Sequence, residues 1–578
     1  MPWRISTGAV LYRDLFYIGG GPFSQYFNAL LFKFFGASFL TLTTANLIFV
    51  GATIVLVYRR FLAAANMFVA TAICLGIVLV FAFNEYTLTG NYNYISPYSH
   101  EALHGLLLSI LTVALLSDWL AKTRLRYAVA AGFCSGLVFL TKPDIFFALA
   151  VCIAAAFVLF VLTSERGSMT RSEHDVSSLW RLTEPRSNAA KSAAAFLGAA
   201  LLPLLFFFFL FLRVEDWHTS LRSVLGGWLP LFQPGVINNP FYRWCLGLDE
   251  PGFRFEQIII QSIGIVLIIA IYALALKHQK NLETRLKLSP GIIYLLLISP
   301  LILGAACFDW RSCGAALPLL NLCACVLIYR EYRKRSAQPA SAFPFLWSIF
   351  SLVLLSKMGL FPRIVHYGFT LGMPAFVSAL YLLLWLLPNL LEARFAVPRR
   401  QFCIALGVPL FIGFGSLFYQ SQLVYAGKNV AVGTSADKIF AFSSPGTNIS
   451  TALEWTSKNI PSDSTLAVLP EGVMLNFLTR HPNPTPCLSW EPVIMHALGP
   501  VKMTAAFEQN PPDYIYLVER DSSEFGVGYF GSPGFGDDLM QWVRTNYQPV
   551  QLFGDEPLKN GKFGVEILKR QPDRTKQN

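Results

Sequence analysis

Four short segments place charged or polar residues at the ends of long apolar runs. They are 12–14 (Tyr-Arg-Asp), 98–104 (with His100, Glu101 and His104), 141–144 (Thr-Lys-Pro-Asp) and 361–367 (with Arg363 and His366). Charged groups in or beside a membrane are costly to keep there, so such residues are natural candidates for function. A carboxylate can take a proton as a general base, and Lys, Arg and His cations can hold a phosphate. Together the four segments predict an acid–base and phosphate-binding site.

Each segment also has a structural interpretation. Arg13 and Asp14 would form a surface ion pair beside an interfacial helix. His100 and His104 lie four residues apart on one helical face, which favours a hydrogen-bonded pair at the interface over two metal ligands. In the third segment the lysine and the aspartate either neutralise each other or reach an aqueous cavity. The fourth segment is also typical of an aromatic anchor at a membrane surface.

The elements that position these residues are membrane-spanning helices. The chain has 578 residues, of which 54% are hydrophobic and 14% charged, whereas soluble proteins carry roughly a quarter charged residues. Its mean hydropathy is +0.50. Apolar runs of about 17–25 residues are long enough to cross a bilayer. They predict about twelve spans, at 38–57, 63–83, 101–119, 127–141, 144–163, 194–213, 257–276, 290–309, 312–329, 343–360, 368–387 and 402–420. The runs 127–141 and 144–163, which Pro143 separates, could also form one kinked segment.

Basic residues fall in every second loop between these spans. The basic loops are 59–60, 122–126, 164–191, 277–287, 330–335 and 394–400, whereas the loop 84–99 has no Lys or Arg. Because cytoplasmic loops carry the excess of positive charge, residues 1–37, the loop 214–256 and the tail are predicted to lie outside the cytoplasm. The net charge of +11 belongs to these loops, so it does not indicate a nucleic-acid partner.

From about residue 421 the pattern changes to apolar runs of strand length. These runs, at 465–470, 513–518, 550–553 and 563–568, alternate with amphipathic stretches at 449–458, 471–479, 500–509 and 537–546. Such alternation predicts a small α/β domain. The predicted organisation is therefore an outer segment with an interfacial helix at 1–37, a transmembrane domain at 38–420, and a soluble extracytoplasmic α/β domain at 421–578.

Several of these segments resemble a known family. The run 10–36, which begins Val-Leu-Tyr-Arg-Asp and ends Phe-Lys-Phe-Phe-Gly, resembles the first outer loop of bacterial GT-C membrane glycosyltransferases. These are relatives of the protein O-mannosyltransferases and the lipid A aminoarabinose transferases. The segments 132–144, 366–375 and 466–483 are also similar to those of such proteins. The resemblance extends over nearly the whole chain.

The resemblance implies a polytopic helical fold of the GT-C type and an enzyme that transfers a hexosyl or pentosyl group. The sugar would pass, with inversion, from a polyprenyl-phosphate donor to an extracytoplasmic lipid, glycan or protein. Asp14 resembles the family's second acidic position and would be the catalytic residue. The predicted substrate and phosphate ligands are Arg13, Lys142, Arg363, His366, His100 and Glu101. Many members of the family use a divalent cation such as Mg or Mn and others use none, and none of the ten cysteines has a metal-binding spacing.

The sequence departs from the family at its start. The family's main Asp-Glu pair follows a first transmembrane helix upstream of the Tyr-Arg-Asp segment, so this chain resembles a member without that helix. Gly21-Pro22 also stands where the family has Lys or His before Pro. Two alternatives stay open, a multi-span transporter and a catalytically inactive membrane scaffold. A transporter predicts related halves, which the sequence lacks, and does not account for the α/β tail. The expected location is the bacterial cytoplasmic (inner) membrane, and the expected partners are the lipid-linked donor, the acceptor and the bilayer.

Overall fold

The computed structural model describes residues 1–88, 90–169, 183–233, 238–334 and 342–572. The chain divides into two compact units. The tail unit consists of Met1–Thr44, Phe208–Trp244 and Tyr425–Asn578. The helical unit consists of Ala45–Phe207 and Cys245–Val424. The tail unit thus joins the predicted α/β domain to two segments from earlier in the chain.

Apolar helices make up most of the structure. Among the described residues, nine are long and apolar enough to cross a membrane: Phe39–Ala64, His100–Lys122, Pro143–Leu162, Ala189–Leu212, Pro251–Lys277, Pro290–Cys307, Trp310–Arg333, Gly368–Phe395 and Arg399–Gly427. Three more are apolar but shorter, at Met67–Ala82, Leu125–Phe139 and Ala342–Ser356. Each of the twelve predicted spans corresponds to one of these helices. The two runs beside Pro143 are separate helices, because the proline begins the second one at its first position.

Small residues let two of these helices approach closely. A Cβ added at Gly132 would lie 2.2 Å from the carbonyl oxygen of Phe196, and one added at Gly136 would lie 2.1 Å from that of Ala200. The two glycines are four residues apart on one face of helix Leu125–Phe139. This is the close backbone packing that a Gly-x-x-x-Gly pattern permits between helices in lipid.

The tail contains the predicted α/β domain. Its four-stranded sheet has the order β3-β4-β6-β5, with β3 at Leu466–Leu469, β4 at Tyr514–Val518, β5 at Tyr547–Gly554 and β6 at Gly564–Arg570. β3 and β4 are parallel and the other two pairs are antiparallel. All residues of β3 and β4 are buried, which explains their unbroken apolar sequence. The surrounding helices are Ser443–Asn459, Val473–Thr479, Pro492–Leu498, Pro500–Gln509 and Asp537–Asn546.

Sequence reasoning did not predict two elements of the tail. One is a short antiparallel pair, β1 at Val430–Val432 and β2 at Ile439–Ala441. The other is the helix Pro492–Leu498. Each contains seven residues or fewer, so neither shows a clear hydrophobic period in the sequence.

Two earlier segments complete the tail unit. The first contains helices Pro2–Ser6 and Phe23–Phe35, the second of which is the predicted interfacial helix. The first segment is joined to residues of the tail by a hydrogen bond, in which the backbone N–H of Phe16 donates to the Pro486 carbonyl at 2.8 Å. The second segment contains helices Trp217–Val224, Leu229–Phe232 and Pro240–Cys245. In the helical unit, Gln279–Leu286 is a further short helix.

The start of helix Phe39–Ala64 is bonded to the tail. The Phe39 backbone N–H donates to Oδ1 of Asp437 at 2.9 Å, so a residue distant in sequence satisfies one of the unpaired amides of the first helical turn. Nη2 of Arg480 donates to Oδ2 of the same carboxylate at 2.6 Å and to the Ala37 carbonyl at 2.8 Å. These residues all belong to the tail unit.

Candidate functional site

Arg363 lies in the loop between helices Ala342–Ser356 and Gly368–Phe395. Its backbone is enclosed by three glycines. A Cβ at Gly314 would lie 2.4 Å from the Cα of Arg363. A Cβ at Gly368 or Gly372 would lie 2.2 or 2.5 Å from its carbonyl oxygen. These positions admit no side chain without movement of the loop, so glycine there fixes where Arg363 sits.

The side chain of Arg363 is a buried cation. The residue is only 4% exposed. Its Nη1 donates to the carbonyl oxygen of Cys245 at 3.3 Å, and its guanidinium carbon lies 4.4 Å from the centroid of the Phe361 ring. Burial lowers the pKa of Arg363, but a guanidinium remains protonated in proteins. The loop therefore holds a positive charge away from bulk water.

His366 is the neighbour of this cation. Nη2 of Arg363 lies 3.5 Å from Nδ1 of His366. Because a guanidinium can only donate, Nδ1 accepts this contact and the ring proton is on Nε2. Burial, with a smaller contribution from Arg363, lowers the pKa of His366 to about 3. His366 thus enters the site as a neutral ring, whereas the sequence predicted a third cation.

Aromatic rings connect this pair to Lys142. The centroid of the Tyr92 ring lies 4.2 Å from that of His366 and 5.3 Å from that of Tyr367. Nζ of Lys142 lies over the Tyr367 ring, 5.5 Å from its centroid. We call Lys142, Arg363, His366, Tyr92 and Tyr367 the cation–aromatic cluster. All five belong to the helical unit.

Asp144, two residues after Lys142, has its own contacts. Nζ of Lys357 lies 3.9 Å from Oδ2 of Asp144, and Oδ1 of Asp144 accepts the backbone N–H of Ile145 at 3.0 Å. Asp144 is in the first turn of a helix, whereas Lys142 precedes that helix. Nζ of Lys142 lies over the Tyr367 ring, and Asp144 lies beside Lys357.

His100 and Glu101 open the helix His100–Lys122. The ring centroids of His100 and His104 are 5.9 Å apart, and Glu101 is buried. Tyr98, just before this helix, packs edge-on against Tyr92 with the ring centroids 5.2 Å apart. The start of the helix therefore adjoins the cation–aromatic cluster through Tyr98.

Arg13 and Asp14 belong to the tail unit and form an ion pair. Nε and Nη2 of Arg13 donate to Oδ1 and Oδ2 of Asp14, each at 2.8 Å. Oδ2 also accepts the backbone N–H of Val10 at 2.8 Å. The bond from Arg13, together with that from Val10, lowers the pKa of Asp14. Asp14 is thus held in its ionised form.

A second carboxylate, that of Glu215, lies near this pair and was not singled out in the sequence. Its Oε2 accepts a hydrogen bond from Oγ of Ser223 at 3.0 Å. Arg13 and Asp14 both act on it electrostatically. Its segment packs tightly on the first one, since a Cβ at Gly227 would lie 2.5 Å from the backbone nitrogen of Gly21. Only a mixed run of charges at 213–216 could have drawn attention to it.

The donor set does not fit a resident metal ion. No group of three His, Cys, Asp or Glu side chains that could hold a metal occurs among the described residues. Mg and Mn prefer several oxygen ligands, and both oxygens of Asp14 are already bonded to Arg13.

Several solved structures are similar to this chain at low sequence identity. The chain is similar to the oligosaccharyltransferase AglB of Archaeoglobus fulgidus, described in complex with an inhibitory peptide and a dolichol-phosphate, at 15% identity and a TM-score of 0.44 over 95% of this chain. A structure of the Archaeoglobus fulgidus oligosaccharyltransferase with Zn and sulfate gives 14% identity and a TM-score of 0.46. The chain spans about two thirds of the length of that archaeal protein, 66% and 68% in the two comparisons.

ArnT from Cupriavidus metallidurans, bound to undecaprenyl phosphate, is similar at 12% identity and a TM-score of 0.34, over 96% of this chain and 88% of that one. Each of these TM-scores lies below 0.5. No protein-family model and no curated protein matches the sequence.

Proposed function

We propose that the chain is an integral membrane glycosyltransferase that takes a sugar from a polyprenyl-phosphate donor. The observation that carries the proposal is the cation–aromatic cluster, in which Lys142 and Arg363 lie around two tyrosines and the neutral His366. Two fixed cations stabilise a phosphate and the negative charge that it gains as it leaves. The motif resemblance supports the same reaction class.

In the proposed reaction an acceptor hydroxyl attacks the anomeric carbon of the sugar as the polyprenyl phosphate leaves. Asp14 remains the carboxylate that the resemblance offers for this reaction, and His100 and Glu101 remain candidate substrate ligands. The tail is proposed to lie outside the cytoplasm, because basic residues alternate between the loops. Alkaline phosphatase fused after Asn578 should then be active, and activity of a cytoplasmic reporter alone would contradict this orientation.

The donor-binding test uses undecaprenyl phosphate and undecaprenol, which differ only in the phosphate. Lys142→Gln is the first variant, because Lys142 is half-buried and its replacement leaves no large cavity. It should lose a charge-assisted hydrogen bond of about 1.5–3 kcal/mol, or roughly 10- to 150-fold in affinity for undecaprenyl phosphate. Its affinity for undecaprenol should not change. The affinity of Arg363→Lys for undecaprenyl phosphate should lie between those of the unmodified protein and Lys142→Gln, because lysine keeps the charge but not the planar guanidinium.

Arg400→Gln is the matched control, since Arg400 is exposed and lies outside the cluster. Equal binding of the phosphate and the alcohol by the unmodified protein would overturn the proposal. So would a Lys142→Gln variant that binds undecaprenyl phosphate as tightly as Arg400→Gln does. Movement of the lipid between leaflets of proteoliposomes without sugar transfer would favour the transporter alternative.

A further inference from the structure

The turn between helices His100–Lys122 and Leu125–Phe139 gathers cations at one end of the helical unit. Lys122, Arg124 and Arg126 occupy alternate positions along it, and all three are exposed. The turn is only two residues long, which makes the two helices antiparallel neighbours. A connection this short keeps the two helix ends, and with them the three charges, close together.

Tyr127 brings two of these cations to one oxygen atom. Nζ of Lys122 and Nη2 of Arg126 each donate to Oη of Tyr127 at 3.2 Å. The two nitrogens are therefore separated by at most twice that distance. Bonds from cations to phosphate oxygens are about 2.7–2.9 Å long, so one phosphate group can bridge two donors at this separation. Lys122 and Arg126 thus form an exposed pair of donors suited to a single anionic group.

The carboxylate in this segment is already paired. Nη1 and Nη2 of Arg60 donate to Oδ1 and Oδ2 of Asp118, at 2.8 and 2.7 Å. Nζ of Lys122 lies 3.4 Å from Oδ1 of the same carboxylate. Asp118 is the single acidic residue in the sequence of the segment 118–127, which also holds three basic residues. Since Arg60 offsets Asp118, the turn keeps an excess of positive charge.

An exposed apolar stripe begins at the same place and continues along helix Leu125–Phe139. Its members are Leu125, Val129 and Phe133, which are 48%, 40% and 43% exposed. They follow one another at intervals of four residues, so they lie on one face of the helix. Leu125, the first of them, stands between two arginines of the basic turn. Positive charge thus passes directly into apolar surface, an arrangement that matches a lipid with an anionic head group.

We propose that this turn binds a bilayer phospholipid with an anionic head group. The lipid phosphate bridges Lys122 and Arg126, and Arg124 adds to the positive charge. An acyl chain lies along the apolar stripe that begins at Leu125. In the orientation proposed above, the turn faces the cytoplasm, and basic residues between helices on that side are suited to anionic lipids. The site shares no residue with the cation–aromatic cluster and does not depend on the proposed function.

The test measures the lipid retained by the full chain in detergent, using native mass spectrometry. The probes are dioleoyl phosphatidylglycerol and dioleoyl phosphatidylcholine, which have the same chains but differ in net charge. The unmodified protein should retain the anionic lipid preferentially. Lys122→Gln and Arg126→Gln should each lower this preference about fivefold, the equivalent of about 1 kcal/mol for each basic residue at a membrane surface. Both side chains are exposed, so the thermal midpoint should not change.

The matched control is the double variant of Arg285→Gln with Lys287→Gln. It also removes one arginine and one lysine, both exposed, from another basic segment. This control should retain phosphatidylglycerol as the unmodified protein does, whereas the double variant of Lys122→Gln with Arg126→Gln should lose about 25-fold in preference. Equal preference in the two double variants would overturn the inference. Equal retention of both lipids by the unmodified protein would overturn it as well.

Two further probes distinguish a lipid from other anions. Inorganic phosphate at the same concentration should not displace phosphatidylglycerol, because it has no chain to cover the apolar stripe. Displacement would assign the turn to a soluble anion and overturn the inference. Dihexanoyl phosphatidylglycerol, which keeps the head group but has short chains, should be retained less than the dioleoyl lipid. Equal retention of the short and long lipids would contradict the part assigned to the stripe.

Discussion

Nη2 of Arg363 lies 3.5 Å from Nδ1 of His366, so a buried cation and a neutral imidazole share one contact. His366 also has a φ of +55°, a left-handed backbone conformation that is uncommon outside glycine and asparagine. The ring is therefore held against Arg363 by a backbone turn that few residues adopt easily. This relationship determines how the site responds to acid.

We expect His366→Asn to reduce the acid sensitivity of the folded protein. In the unfolded chain a histidine takes up a proton as the pH falls through about 6.5, whereas folded His366 does so only near its pKa of about 3. The folded state therefore loses stability as the pH falls from 6.5 towards 3, by at most about 1.4 kcal/mol per pH unit. Asparagine tolerates the backbone conformation and can accept from Arg363.

Thermal unfolding in detergent between pH 7.5 and pH 5 measures this effect. The stability of His366→Asn should fall less steeply with acid than that of the unmodified protein. His278→Asn is the control, because His278 is exposed. Its replacement should leave the change of stability with pH as it is in the unmodified protein. Identical slopes for the unmodified protein and His366→Asn would contradict the assignment of a neutral ring.

Gly368→Ala should distort the site, because its Cβ would lie 2.2 Å from the carbonyl oxygen of Arg363. That oxygen is backbone and cannot turn aside, so overpacking should cost about 1–3 kcal/mol or more. Both the thermal midpoint and the affinity for undecaprenyl phosphate should drop. Gly415→Ala is the matched control, since nothing lies within 4 Å of a Cβ there. If the two variants behave alike, the glycines do not position Arg363.

Asp437→Ala should loosen the start of helix Phe39–Ala64. The variant removes the acceptor for the Phe39 N–H and the partner of Arg480, and loss of a capping side chain costs about 0.5–2 kcal/mol. Hydrogen exchange at the amides of residues 39–42 should quicken. Glu454→Ala, which breaks only an exposed pair with Lys458, should leave exchange there unchanged. Unaltered exchange in Asp437→Ala would mean that the cap contributes nothing.

Glu491→Gln should remove a pH dependence of the tail. The backbone N–H of Trp490 donates to the Pro470 carbonyl at 2.8 Å. Because Glu471 and Glu491 directly follow these two residues, the bond brings them close together. Burial, and then Glu471, raise the pKa of Glu491 to about 7. Folded Glu491 keeps its proton after the unfolded carboxyl has lost it, so stability should fall as the pH rises from about 4.5 to about 7 and then level off.

Thermal midpoints at pH 5 and pH 7.5 test the effect of Glu491. The unmodified protein should lose more stability between these two values than Glu491→Gln does. Glu508→Gln, at an exposed position, serves as the control and should behave like the unmodified protein. An equal loss of stability in Glu491→Gln would show that Glu491 is not protonated in the fold.

Sequence periodicity predicted the elements well because their signals are local. Every predicted span has its helix, and the runs at 465–470, 513–518, 550–553 and 563–568 contain or overlap the four strands of the sheet. Proline gave the sharpest boundary, since Pro143 begins a helix at the point where the run was interrupted. Run length and amphipathic pattern together separate strand from helix in the tail.

The site was less accessible from sequence because its contacts join distant segments. Residue types predict one site for Asp14, Lys142, Arg363 and His366, and this stays a prediction; they do not indicate the tyrosines that lie between Lys142 and His366. The proximity of Glu215 to Arg13 and Asp14 depends on close packing between Gly227 and the backbone of Gly21, which the sequence does not reveal. The acid behaviour of His366 also depends on burial, which sequence spacing does not reveal.

The bond between Phe39 and Asp437 has a consequence for the order in which the protein is made. The two residues are 398 positions apart, so helix Phe39–Ala64 leaves the ribosome long before the residue that caps it exists. Until Asp437 has been made, the Phe39 N–H lacks the acceptor that it has in the folded protein. The cap can close only after helix Arg399–Gly427, which precedes Asp437 in the chain, has been made. In a chain that ends before residue 437, the first amide of helix Phe39–Ala64 therefore lacks its acceptor, and this distinguishes it from the full-length chain.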